Sequence, residues 1–277
     1  MSLIVPKYFN CIATLGVKTV NGNIKCIGTG FYIGREIKDS QYHVFLVTNK
    51  HIIKDKDQLY SRFKKNNGIL YTETIPLIAN GEKCYSEHPD PNVDVVVIHI
   101  NGKYISDNNV DFNFIDIDNE AVSTREFMSE GGCDGTGVFM LGYPMGMTSI
   151  DSNHPICRYG CVARLDEKEI ISRKNILLDI QNFPGNSGSP IFIKPEAYSL
   201  EGTKAFSRSV LYGIVHSYIP YRVEMMNTQT GEIVEVREEN SGLANANPVE
   251  FIRETLDIEM NRVQFIHNNK KKEHEGK

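Results

Sequence analysis

The chain has 277 residues, 40% of them hydrophobic and 23% charged, which is the composition of an ordinary folded protein with room for two modest domains or one large β domain. A formal net charge of −5 and a pI near 5.9 argue against a general polyanion binder, so neither nucleic acid nor an anionic membrane is an expected partner. No run approaches the roughly 18 apolar residues of a membrane span, and the first seven residues lack the basic and apolar regions of a secretory leader.

Short apolar segments broken by Asn21-Gly22-Asn23 open the chain as a β-hairpin. Its second arm, over 24–33, contains Gly28-Thr29-Gly30, and glycine within a strand marks a bulge, a bend or a close approach. A third strand over 42–48 runs into Asn49-Lys50-His51-Ile52-Ile53, and further strands are expected over 68–74, 75–79 and 93–100. Residues 101–137 turn polar and acidic, with one short helix over 123–129 where Glu126 stands three after a Ser123 cap. A second β-rich stretch follows, with strands over 137–143, 156–165, 175–180, 190–194 and 210–217. Residues 194–209 read as an exposed loop, and Asn227-Thr228-Gln229-Thr230-Gly231 as a turn between two more strands. Asn247 and Pro248 open a final helix. The polar end, 268–277, reads as a disordered tail with Lys270-Lys271-Lys272 solvated. The expected organisation is a β-barrel over 1–115, a linker over 116–136, a second β-barrel over 137–246, a helix over 247–258 and a tail over 259–277.

The six cysteines, Cys11, Cys26, Cys84, Cys133, Cys157 and Cys161, are expected to be reduced in a cytoplasmic protein. Cys157 and Cys161 have no His or Cys pair nearby to complete a zinc-like set, so no metal and no cofactor is expected.

The chemistry concentrates in Pro184-Gly185-Asn186-Ser187-Gly188-Ser189-Pro190, between two apolar runs. Glycines around a serine let the backbone turn sharply and present the hydroxyl, and the N–H groups of Gly185 and Ser187 can converge on a developing oxyanion. The same composition also makes an ordinary turn between strands. A serine hydroxyl needs a base, and the base an orienting partner. His51, at a strand end, and Asp94, just before Val95-Val96-Val97-Ile98, supply both types in the order His, Asp, Ser. His43 lies near the start of its strand rather than at its end, and His88 and Asp90 lie in the proline-flanked turn His88-Pro89-Asp90-Pro91, so they suit these roles less well.

With Thr48-x-x-His51, Asp94 before an aliphatic strand, and Gly185-Asn186-Ser187-Gly188-x-Pro190, the sequence resembles the trypsin/chymotrypsin-fold serine proteases. Gly28-Thr29-Gly30-Phe31, Gly142-Tyr143-Pro144-x-Gly146 and Gly213-Ile214-Val215 are weaker matches. The phrase around Ser187 looks most like the HtrA/Deg-type and related intracellular bacterial peptidases, without a PDZ module. The resemblance implies an all-β fold of two six-stranded antiparallel barrels, with the active site between them and a C-terminal helix. It gives Ser187 the role of nucleophile, His51 that of general base and then acid, and Asp94 that of orienter, acting on a protein or peptide.

In the digestive and clotting members an aspartate before the nucleophile pairs with an amino terminus freed by cleavage. Asn186 stands there in this chain, and an amide cannot form that ion pair. Control by an activating protein partner, or a catalytically silent protease-fold binding module, is the alternative to a plain endopeptidase. The resemblance puts Gln181 at the bottom of the primary specificity pocket and His216, Ser217 and Tyr218 along its wall. Neutral Gln181 gives no support for a Lys or Arg preference. His216 lies one residue away from the pocket histidine of glutamyl endopeptidases, and a one-residue shift in a strand turns a side chain to the other face. A structural or rim role is therefore expected for it.

Overall fold

The computed structural model describes residues 3–38, 41–102, 107–149 and 151–275. Alternation within the apolar runs assigns their side chains to three cores. Phe31 and Ile33 of β2 (Ile24–Lys38) face one cluster and Tyr32 another, as do Phe45 and Val47 against Leu46 in β3 (Gln41–Thr48). Both faces of these strands are covered, which is why they read as continuous apolar segments.

The first half is an eight-stranded sheet made of β1 (Ile12–Lys18), β2, β3, β4 (Gln58–Lys64), β5 (Leu70–Pro76), β8 (Tyr85–Glu87), β9 (Val96–Ile100) and β10 (Ile115–Asp116). Its order is β5-β4-β1-β2-β3-β9-β8, with β10 parallel to β2, while β6 (Ile78–Ala79) and β7 (Glu82–Lys83) pair separately. The second half is a closed six-stranded barrel of β11 (Gly137–Gly142), β12 (Ile156–Arg164), β13 (Ile176–Asp179), β16 (Ile233–Pro248), β15 (Leu211–Met226) and β14 (Pro190–Ile193), in that order. The fold is all-β, as expected, although the hydrogen-bonded path of the first sheet ends at β5 and β8 where the second closes on itself.

Leu15, Tyr32, Leu46, Leu59 and Ile98 fill the first half, and Val138, Met140, Leu178, Ile191 and Tyr212 fill the second. A third cluster joins them: Phe31, Phe45 and Val47 meet Leu141, Tyr143, Phe192 and Ile214 from across the cleft. This shared core fixes the two halves against each other and so places the loops at their junction.

The described α-helices include α1 (Lys50–Ile53), α2 (Thr124–Ser129), α3 (Glu167–Arg173) and α4 (Val249–Glu275). The expected cap of α2 is present as a full capping box between Ser123 and Glu126. Among the elements absent from the sequence reading are β4, β7, β8, β10 and α3. In β4 only Leu59 of the large apolar residues is fully buried, and Ser61 beside it is the other inward residue, so its alternation is faint. The final helix starts at Val249 but runs far past 258, through the segment read as a tail. Its apolar stripe, Ile252, Leu256 and Met260, docks on the shared core. Glu259, 0% exposed, holds Arg262 at 2.5 and 2.7 Å, takes the Ser86 hydroxyl at 2.7 Å and accepts the His99 N–H at 3.1 Å.

Past Tyr218 and Gly242, β15 and β16 leave the barrel and their ladders join only each other, up to Met226 and Ile233. This two-stranded arm is solvent-exposed along nearly its whole length, including Tyr221, Met226, Val234 and Val236.

Candidate active site

The serine loop sits where the two halves meet. Gly188 packs so tightly on β2 that a Cβ there would lie 1.9 Å from the Thr29 carbonyl oxygen and 2.8 Å from the Thr48 hydroxyl. Gly188 (φ +85°) and Gly185 (φ +97°) both take left-handed backbone, and a Cβ on Gly185 would lie 2.4 Å from the Tyr143 carbonyl oxygen. Only glycine fits at either position. Thr48, in contact with this loop, ends β3 and leads through Asn49 into α1, which carries His51.

His51 faces the cleft with its ring half-exposed. Its Nδ1 lies 2.5 Å from Asp94 Oδ2, and its backbone N–H donates to Asp94 Oδ1 at 3.2 Å. Asp94 is itself gripped on its backbone: Asn49 Nδ2 donates to its carbonyl at 2.7 Å, and its N–H donates to Asn247 Oδ1 at 2.9 Å. Burial pushes the Asp94 carboxyl up, but the hydrogen bonds and charge of His51, with the nearby His216, outweigh it and hold the group below its ordinary value. Asp94 is thus an anion that can accept from an imidazole N–H.

Ser187 is half-buried, and its hydroxyl donates to the His216 carbonyl at 3.4 Å; among the described residues it makes no bond to His51. The N–H groups of Gly185 and Ser187 have no acceptor among the described residues, whereas that of Asn186 donates to Phe183 O at 3.0 Å and that of Gly188 to Val215 O at 2.9 Å. Two unpaired donors, one on the serine and one two residues before it, can receive an oxygen that becomes negative.

The four residues associated with the specificity pocket have different surroundings. Gln181 is exposed, and its amide nitrogen lies 3.4 Å from where a Cβ on Gly242 would stand. Ser217 Oγ accepts from Asn245 Nδ2 at 3.3 Å, and Tyr218 is exposed on the edge strand. His216 sits at a register shift between Val215 and Ser217, a β-bulge in β15. The ring is mostly buried, with Nε2 2.6 Å from Asn175 Oδ1. Burial drives its pKa down to about 4; the Asp94 carboxylate works against that, and His51 adds to it. His216 is therefore a neutral ring close behind the His51–Asp94 pair.

The competing residues have other work. His88 is buried, with Nε2 2.9 Å from Glu254 Oε2, and the carbonyls of His88 and Asp90 both accept from Lys50 Nζ. His43 stacks edge-on against His99 on the neighbouring strand. The asparagines holding Asp94 escaped the sequence reading. Asn49 lies inside the quoted His51 segment and could have been found there, whereas Asn247 reaches the site only through the fold. All six cysteines are free, and no group of three metal-binding side chains occurs among the described residues. No helix among them is long and apolar enough to cross a membrane.

A family model described as a trypsin-like peptidase domain matches residues 28–195. We found no curated protein that matches the chain. Among solved structures, the apo MamO protease domain from Magnetospirillum magneticum is similar at 13% identity and TM-score 0.44, covering 90% of this chain and 96% of that one. The atomic-resolution structure of HBP is similar at 13% identity and TM-score 0.47, covering 93% and 94%. With a trypsin-like peptidase domain spanning more than half of its length, the chain belongs to the trypsin-like peptidase family.

Proposed function

We propose that the protein is a serine endopeptidase that hydrolyses peptide bonds through an acyl-enzyme, with Ser187 as nucleophile, His51 as general base and then acid, and Asp94 as orienter. The observation that carries this reading is the His51–Asp94 pair. With Nδ1 committed to Asp94 at 2.5 Å, the lone pair on Nε2 is left to face the cleft and take a proton. In the reaction the Ser187 hydroxyl leaves the His216 carbonyl and gives its proton to His51 as Oγ bonds the substrate carbonyl carbon. The N–H groups of Gly185 and Ser187 receive the oxyanion. His51 then protonates the leaving amine, and water repeats the sequence to release the acid.

The substrates are proteins or peptides, bound along Ser217 and Tyr218. Six free cysteines fit a reducing cytoplasm. A second reading, a latent form that a partner switches on, is favoured by the Ser187–His216 hydrogen bond, because in it the hydroxyl is turned from its base. Ser187→Ala should abolish both peptide turnover and labelling by a fluorophosphonate probe. Undiminished labelling of that variant overturns the assignment, and wild-type labelling that appears only with an added partner selects the latent form.

A further inference from the structure

Asn186 occupies the place of the aspartate that holds the serine loop in the zymogen-activated relatives, yet here it holds nothing. It is 1% exposed, and neither its Oδ1 nor its Nδ2 has a partner among the described residues. Other groups set the loop, from both halves of the fold: Val215 of the second takes the Gly188 N–H and donates to Ser189 O, and Thr29 acts from the first. Thr29 of β2, 0% exposed, grips it twice: its N–H donates to Ser187 O at 2.9 Å and its hydroxyl to Gly185 O at 2.7 Å. The same hydroxyl accepts the Tyr143 N–H at 3.1 Å. One turn further, the Met145 N–H donates to Pro184 O at 2.5 Å. A trans peptide points its C=O and N–H in opposite directions. Holding Pro184 O on Met145 therefore directs the Gly185 N–H the other way, and holding Gly185 O on Thr29 fixes the next peptide.

The 143–146 turn is in turn seated from β4. Arg62 donates to Ser149 O at 2.5 Å, Ser152 O at 3.2 Å and Thr148 Oγ1 at 3.4 Å. Asn153 Nδ2 returns a bond to Arg62 O at 2.8 Å, and the buried Tyr143 hydroxyl donates to Asn153 O at 2.6 Å. The chain of contacts runs from Arg62 through Ser152, Asn153 and Tyr143 to Pro184, and it meets Thr29 at Gly185.

We propose that Thr29, backed by Arg62, is the positioning residue that sets the oxyanion loop in place of a freed amino terminus, so that the loop is built when the chain folds and needs no cleavage. This rests on the serine-peptidase reading of the same site. Neither tether touches substrate; both act through the backbone of the loop.

The test compares Thr29→Val, Thr29→Ser and Arg62→Met with wild type and Ser187→Ala, using full-length protein, a cleavable peptide, a fluorophosphonate probe and circular dichroism. In Thr29→Val, kcat and the labelling rate should fall by about 10²–10³, the effect of losing one oxyanion donor, with KM changed far less. Thr29→Ser should recover most of that loss, and Arg62→Met should lower kcat about tenfold. A folded Thr29→Val with wild-type kcat overturns the proposal while leaving the serine reading intact; labelling of Ser187→Ala overturns the serine reading instead. An arm independent of Thr29 folding adds an uncleaved peptide at the amino terminus. Unchanged kcat supports the proposal, and activity that appears only after its removal overturns it.

Discussion

The neutral, buried His216 ties stability to pH in a way that one substitution isolates. A fall from the ordinary imidazole value of 6.5 to about 4 means that between these values the unfolded chain binds a proton the folded chain refuses. Stability is therefore full above about pH 6.5, drops as the pH falls through the window and levels off below about pH 4. At about 1.4 kcal/mol for each pH unit, the loss across the window is about 3 kcal/mol. His216→Gln keeps an amide that can reach Asn175 but has no titration there. The chain has no tryptophan, so urea unfolding is best followed by circular dichroism, at pH 7 and pH 4 for both proteins. His43 and His99, whose pKa values burial also lowers, contribute equally to both. The pH-dependent loss should be smaller in His216→Gln by about 3 kcal/mol. Equal losses in the two proteins would show that His216 is not held neutral in the fold.

Two further outcomes test the architecture around the site. Asp94→Asn should leave the fold intact yet lower kcat by about 10⁴, because an amide no longer fixes the imidazole tautomer; steady-state kinetics on the folded variant check it, and a loss below tenfold contradicts the role. Glu259→Ala strips the partner from Arg262, Ser86 and the His99 N–H at once, and losing one side of a buried ion pair costs about 3–5 kcal/mol. The denaturation midpoint should fall accordingly, and a change under 1 kcal/mol would mean that α4 is held by its apolar stripe alone.

The features that follow from local chemistry were legible in the sequence. The Ser123 capping box needs only residues three apart, and the turn at 227–231 only its own composition, and both stand as read. His51 and Asp94 were paired on order and type, and the backbone brings them together at 2.5 Å. The resting direction of the Ser187 hydroxyl was not legible, because it depends on the His216 carbonyl 29 residues away. The bulge at His216 was not legible, because alternation along a strand does not reveal a register shift. The length of α4 was hidden for a related reason: its later turns look polar on their own, and the buried position of Glu259 arises from Arg262, Ser86 and β9 together.

The arm formed by β15 and β16 has a bearing on the protein's own integrity. A two-stranded ribbon without a covered face is marginal by itself, so it opens from its tip while the barrel stays closed. The tip, 227–231, contributes nothing to the ladders that join β15 to β14 or β16 to β13. A nick there would leave two fragments still clasped by the barrel, indistinguishable from the intact molecule until denatured.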